Sequence, residues 1–583
     1  MRTLQAVIAA LVFLAQAPAG PYRTLNDRYP PPRFTSRADW ERRAAYLREH
    51  VLASAGLLPP PARSALGPVV FDELKHSDYS VSKVYFESLP RFYVTGNLYR
   101  PVGNGPFPAV LSPHGHWTYG RFENNSLVSG PGRAINLARQ GFVVFAYDMI
   151  GYNDSRQLTH AFGGRRESLW GLSLSGLQLW NSIRSLDFLE SLPYVRKEAI
   201  GATGESGGGT QTFLLAAADD RVAAAVPVNM ISLDMQGGCL CENPPGLRID
   251  TTNVEIAATI APRPLLMISA TGDWTKETLE AEYPAVRALY ALVGAEDRVS
   301  AVRFAAEHNY NKDSREAMYA WMGRWLKQAP AGTREADRSF TPDPLPDLLV
   351  FHRRPLPDNA ITAEALTASW IDAARRRLAT TPLAVRGAAL RHALAFGHAA
   401  APGVAAAVRR RRPIVLVAGE TSAVEAPLAG AGFTVRRIRF TPFDEEAAAK
   451  VRHFDTYNRT AASQRVADIV EALGAEPGAI LIAAGKEALA CALASAIAPL
   501  RLAILDVKGF DTSRDEDFLN HVYIPGLRRA GDLQTASEMA PGRLVIHNAG
   551  PQFTATGARV ERATLSPSEI VALVRQTAAA ARR

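Results

Sequence analysis

The stretch "IGATGESGGGTQTF", residues 200–213, decides how this chain folds. An apolar run, "AIGAT", leads into Gly204-Glu205-Ser206-Gly207-Gly208, and the helical sequence "TQTFLLAAA" follows at once. A strand, a sharp turn and a helix in that order form a nucleophile elbow, with the serine at the apex. The flanking glycines are needed because the serine takes strained backbone angles and a side chain beside it would collide with a neighbouring strand or helix. The helix that starts at Gly207 adds the positive end of its dipole beside the serine oxygen. The competing reading is a serine that caps an ordinary helix.

A serine hydroxyl is a weak nucleophile until a positioned base takes its proton. Downstream, Asp273 follows the apolar run "PLLMISATG", and His308 follows "VSAVRFAAE" at the end of a further strand. Ser206, Asp273 and His308 in that order make a candidate triad. Asp234, after the preceding strand, is the alternative acid, while His160, His352 and His398 are less well placed as the base. Two amides are expected to receive the developing oxyanion, Gly207 N–H at the helix start and His116 N–H in the loop "VLSPHGHWTYG". His114 and His116 as metal ligands is a competing reading; no carboxylate or third histidine lies near them in sequence, so no metal is expected. Trp117, Tyr152 and Trp274 neighbour the proposed site residues and are candidates to stack on substrate, or else fill the core. Asp148, closing "FVVFAYD" before a glycine turn, is expected to hold backbone amides beside the elbow.

Working outward, residues 69–113 read as successive strands, and strands and helices then alternate to about residue 330. Such alternation predicts a mostly parallel sheet with helices on both faces. Before it, a proline-rich segment precedes an amphipathic helix behind Ser36, so residues 18–68 form an N-terminal arm. Residues 331–349 are rich in proline and aspartate and read as a linker. Beyond it, 350–583 alternates again and predicts a second, smaller α/β three-layer domain.

The first residues carry one arginine, an apolar run from Ala6 to Ala15 and the small-x-small sequence Ala15-Gln16-Ala17. That layout predicts a signal peptide, residues 1–17, and a secreted or periplasmic protein free of the membrane after cleavage. The apolar run is shorter than the roughly 20 residues that span a bilayer. Cys239, Cys241 and Cys491 are too few for a disulfide framework, and further metal ligands are not found near the C-x-C pair. The net charge of +8 is scattered, and its densest run, Arg409 to Arg412, precedes an apolar strand without interleaved aromatics. A nucleic-acid partner is therefore not expected.

At these motifs the stretch from about 69 to 330 resembles the acetyl xylan esterase-like branch of the α/β-hydrolase fold, related to dienelactone hydrolases. "HGHW" matches the oxyanion loop, "GESGGGTQ" the elbow, "GDWTKE" the acid and "EHNYN" the histidine. The resemblance implies carboxylic ester hydrolysis through an acyl-enzyme, without a cofactor, on a small-molecule or polysaccharide ester. The insert "GGCLCENPPGLRIDTTN" departs from the simplest esterase pattern and is expected to shape the pocket. In the second half, "AILIAAGKEALACALASAI" resembles the strand-elbow-helix again, with Glu487 at the expected nucleophile position and Leu489 replacing the second glycine. Residues 350–583 thus read as a degenerate hydrolase-like domain, with a generic nucleotide-binding layer as the alternative. Two other readings of the whole are a serine peptidase of prolyl oligopeptidase type and a non-catalytic carbohydrate-binding or scaffold protein.

Overall fold

The computed structural model describes residues 20–397 and 413–580; the expected signal peptide, His398 and the Arg409 to Arg412 run lie outside the described residues. Nine strands form the first sheet: β1 (Val69–Lys75), β2 (Tyr79–Leu89), β3 (Phe92–Pro101), β4 (Phe107–Leu111), β5 (Val143–Tyr147), β6 (Val195–Glu205), β7 (Val222–Val228), β8 (Leu265–Ala270) and β9 (Val299–Phe304). Their order is β1-β2-β3-β5-β4-β6-β7-β8-β9. β1, β2 and β3 run as an antiparallel meander, β3 pairs antiparallel to β5, and every pairing from β5 to β9 is parallel. The parallel strands β4, β5, β7 and β8 are almost wholly buried and read as unbroken apolar runs, as strands covered on both faces must. The edge strand β1 shows the alternation of a half-exposed strand.

Six parallel strands form the second sheet: β10 (Val415–Ala418), β11 (Val435–Arg437), β12 (Ile480–Ala484), β13 (Leu502–Asp506), β14 (Leu544–His547) and β15 (Arg559–Val560), in the order β11-β10-β12-β13-β14-β15. The chain is therefore mixed α/β, a large mostly parallel sheet and a second parallel one, each wrapped by helices.

The N-terminal helix, Arg37–Ser54, starts where Ser36 accepts a hydrogen bond from the Asp39 N–H. The helical stretch expected over 167–190 is two helices, Arg165–Leu169 and Leu174–Ser191. The break falls at Gly171, with φ of 68°, and Ser173 then caps the second helix on Gly176 N–H. Residues 331–349 lie packed against the first sheet domain: the Asp337 carboxylate accepts from Arg315, Tyr319 and Asn136, and Leu348 is buried. The helix Ala363–Leu378 likewise joins the first core through Leu366, Trp370 and Ile371.

The second sheet also has an elbow, displaced from where the sequence suggested. β12 ends at Ala484, the next helix begins at Lys486, and between them Gly485 takes φ 68° and ψ −138°. Gly485, and not Glu487, occupies the apex; Glu487 lies one residue inside the helix, where Arg465 pairs with it at 3.4 Å. The apex of the second elbow thus carries no side chain.

Candidate active site

Ser206 stands between β6 and the helix Gly207–Ala218 with φ 56° and ψ −123°. Such a conformation is costly for a residue with a Cβ, and it is held here by packing from several sides. Ser206 N–H donates to the Val228 carbonyl of β7, and Thr210 N–H donates to the Ser206 carbonyl. A Cβ at Gly208 would sit 2.6 Å from the Pro113 oxygen and 2.8 Å from the His114 oxygen. A Cβ at Gly207 would sit 2.4 Å from the His116 ring. The glycines are thus required by the loop after β4, which crosses directly over the elbow. The side chain of Ser206 is only partly buried, so a substrate can reach it.

At the end of β9, His308 Nδ1 lies 2.8 Å from Asp273 Oδ2. The other carboxylate oxygen of Asp273 accepts from Thr275 N–H at 2.7 Å and from the Thr275 hydroxyl at 2.5 Å, which fixes its orientation. With Nδ1–H given to the aspartate, Nε2 is the nitrogen that carries the lone pair. That atom is buried and makes no hydrogen bond, so the Ser206 hydroxyl is not bonded to it in this state. Catalytic hydrogen bonds of ligand-free enzymes are often long and tighten only with substrate. The alternative acid, Asp234, is engaged by Arg28 at 2.9 Å.

Two indoles bracket the imidazole. Trp274 lies 4.5 Å from the His308 ring, and Trp117 is stacked at 6.2 Å. Trp117 is tied back to the elbow, since its Nε1–H donates to Glu205 Oε1 at 3.0 Å. Tyr152 does not join them: it packs edge-on between His114 and His160, at 5.1 and 5.0 Å.

Glu205 is a structural centre that the motif reading passed over. Its Oε1 also accepts from Gly115 N–H at 3.0 Å, and its Oε2 pairs with Arg133 at 2.7 Å, both side chains being almost fully buried. Arg133 in turn donates to Ser112 and lies over the Tyr310 ring. One carboxylate therefore clamps the loop that carries His116 onto the elbow. A charged residue closing the uncharged, buried run "AIGATG" was the available signal.

His114 is buried; its Nε2 accepts from Met149 N–H at 3.0 Å and its Nδ1–H donates to the Gly115 carbonyl at 2.8 Å. Burial pushes its pKa down to about 3, so it stays neutral and structural. Asp148 is held by Arg121, Thr95 and Asn153 side chains rather than mainly by backbone amides.

The side chain of His116 meets residues distant in sequence. Its ring covers Gly207, and its Nε2 is 3.0 Å from Cys241 Sγ. His116, His160, Cys239 and Cys241 place one ligand-type atom each within 4.8 Å of one another. Counting possible ligands by sequence proximity fails here, because His160 and the C-x-C pair arrive on loops far from His116 along the chain. A hydrogen bond from Cys241 holds Cys239 far below the usual thiol range; burial opposes it, and His116 and His160 add to it. Burial and the neighbouring Cys239 push Cys241 up.

The comparisons with known proteins agree with this architecture. No protein-family model matches the chain. A protein of Bacillus subtilis (strain 168) named "Putative hydrolase YtaP" is 28% identical over 240 residues, covering 38% of this chain and 80% of that protein. Among solved structures, "Methylesterase BT1017" is 30% identical with a TM-score of 0.50, over 60% of this chain and 78% of that one. A structure titled as a "putative acetyl xylan esterase (BF1801) from Bacteroides fragilis NCTC 9343" is 20% identical with a TM-score of 0.39, over 48% of this chain and 80% of that one.

Proposed function

Because this chain belongs to the α/β-hydrolase superfamily, among its esterases, we propose that it is an exported serine ester hydrolase acting on esterified carbohydrate. The observation that carries the reading is the 2.8 Å bond between Asp273 and His308, which leaves His308 Nε2 buried and without a hydrogen bond, beside the strained backbone that Ser206 takes at its elbow. Ser206 Oγ attacks the ester carbonyl while His308 Nε2 takes its proton. Asp273 holds the imidazole in that tautomer and stabilises the cation that forms. The tetrahedral oxyanion is received by the N–H groups of Gly207 and His116, the first at a helix start whose dipole favours negative charge. His308 then returns the proton to the departing alcohol, and water releases the acid from the acyl-enzyme by the same steps in reverse roles.

Trp117 and Trp274, whose rings lie against His308, are the aromatic surfaces on which a sugar ring would rest. The likeness to a methylesterase supports a methyl ester as one substrate class, beside the acetylated sugar that the motifs suggest. Among the described residues no helix is long and apolar enough to cross a membrane, and the N-terminal signal layout supports export.

The test is a paired assay of wild type and Ser206→Ala on p-nitrophenyl acetate, acetylated xylan, a methyl-esterified polyuronate and an aminoacyl-proline anilide. Ester turnover is expected to fall by at least about 10³-fold in the variant. Anilide turnover, or ester turnover that survives the substitution, would overturn the assignment.

A further inference from the structure

The geometry points to a tetrahedral zinc site built by His116, His160, Cys239 and Cys241, which locks the C-x-C loop onto the oxyanion loop. The four candidate ligand atoms lie within 4.8 Å of one another. Around a zinc ion, with Zn–S of about 2.3 Å and Zn–N of about 2.0–2.1 Å, neighbouring ligand atoms stand roughly 3.5–4 Å apart. Two imidazoles and two thiols are the donor set that a structural zinc ion takes, and soft thiolates disfavour magnesium or calcium.

His160 and the cysteine loop are held in place by partners outside the site. His160 Nδ1–H donates to the Ile150 carbonyl at 2.6 Å. That bond fixes the tautomer and leaves the lone pair on Nε2, a buried atom without a hydrogen-bond partner among the described residues. A backbone carbonyl on the far nitrogen is the support that metal-bound histidines characteristically have. The cysteine loop is equally fixed. Glu242 accepts from Gly238 N–H and Cys239 N–H at 2.9 Å each, and its other oxygen accepts from Thr210 of the elbow helix at 3.1 Å. Asn243 donates to the Gly237 and Cys239 carbonyls. All three cysteines of the chain are free thiols.

Both sulfurs would bind as thiolates, so zinc gives a neutral Zn(Cys)₂(His)₂ unit, and any proton still held by a thiol leaves on binding. Four protein ligands complete the shell, so the ion has no open position and serves structure rather than Lewis acid catalysis. Its consequence for the reaction is positional: His116 contributes a ligand through its side chain and a proposed oxyanion donor through its backbone, while its ring lies against Gly207. In an oxidising compartment the ion would also protect the partly exposed Cys239 and the buried Cys241 from oxidation.

Purified full-length protein should carry about one zinc per chain by elemental analysis. Cobalt(II) replacing it should give the intense thiolate-to-metal absorption and visible bands of a tetrahedral site. Cys239→Ser and His160→Ala should each weaken zinc affinity by at least about 100-fold in a chromophoric chelator competition. Ser206→Ala should retain the full zinc content, which separates this site from the catalytic reading. Circular dichroism of each variant identifies those that keep the fold; the wild-type metal content and cobalt spectrum decide the matter without them. Wild-type protein that stays zinc-free after zinc loading with reduced thiols would overturn the inference. So would a Cys239–Cys241 disulfide in zinc-replete protein, or folded variants that bind zinc as wild type does.

Discussion

At the scale of single residues, Ser206, Asp273 and His308 are each recognisable because a reactive side chain stands at the end of an apolar strand. The sequence names the aspartate, and the 2.8 Å bond to His308 separates it from Asp234, which Arg28 occupies instead. Glu205 was not legible as a clamp, since its three partners, Gly115, Trp117 and Arg133, lie 72 to 90 residues earlier in the chain, and only the folded sheet brings them together. Its role makes a sharp prediction. Glu205→Gln removes the charge that compensates a buried Arg133, and breaking such a pair costs about 3–5 kcal/mol. The expected outcome is a marked fall in the urea midpoint together with lost esterase activity; an unchanged midpoint would refute the clamp. Gly208→Ala should also be damaging, because its Cβ would meet two backbone oxygens that have no freedom to retreat. Low soluble yield or a lowered melting temperature would register this.

At the scale of elements, the alternation of strands and helices was readable almost throughout, because buried parallel strands are continuous apolar runs. Element ends were less so. The break at Gly171 within an unbroken apolar helical pattern follows from a tertiary contact: a Cβ at Gly56 would lie 1.7 Å from the Gly171 oxygen. The second elbow turns two residues before Glu487, at Gly485, whose φ of 68° a glycine takes without strain and which no side chain marks in the sequence. A further contact between elements carries a pH dependence. His50, on the helix Arg37–Ser54, has its Nδ1 3.1 Å from His392 Nδ1, on the helix Leu383–Ala393. Its Nε2–H faces the Gly246 and Leu247 carbonyls, and His392 Nε2 faces Glu49. Burial, and then the charge of His392, push His50 down from 6.5 to about 4, with Asp250 opposing. Between those values the unfolded chain binds the extra proton, so stability falls as pH drops from 6.5 to about 4. The loss attributable to this group is at most about 3 kcal/mol. Thermal melts over that range should show a shallower slope in His50→Gln than in wild type, and identical slopes would refute it.

At the scale of the whole molecule, the two sheets are joined by polar contacts that sequence alone could not foresee. Asp515 accepts from Trp170 Nε1, Arg166 and Arg528, and the Gly526 and Arg528 amides donate to the Ser168 and Leu169 carbonyls. Trp370 Nε1–H donates to the Trp170 carbonyl, and Arg529 lies over its ring. On the cysteine side, Gly246 and Arg248 N–H groups donate to Asp455 and Thr456 carbonyls. A groove between the sheets is lined by Phe162, Leu240, His453, Phe454 and Tyr523, Leu240 lying within the C-x-C loop. A composition shift at 331–349 suggested separable halves; the packed strap and the shared cores argue for one cooperative unit. Calorimetry should therefore show a single unfolding transition, whereas two well-separated transitions would contradict this.

The measurement that bears most directly on the central claim is mass-spectrometric mapping of the adduct left by a fluorophosphonate. A covalent phosphonyl group on Ser206 in the wild type, much reduced in His308→Ala, is the result predicted. An unlabelled Ser206 in folded protein, or an adduct formed equally well without His308, would contradict it.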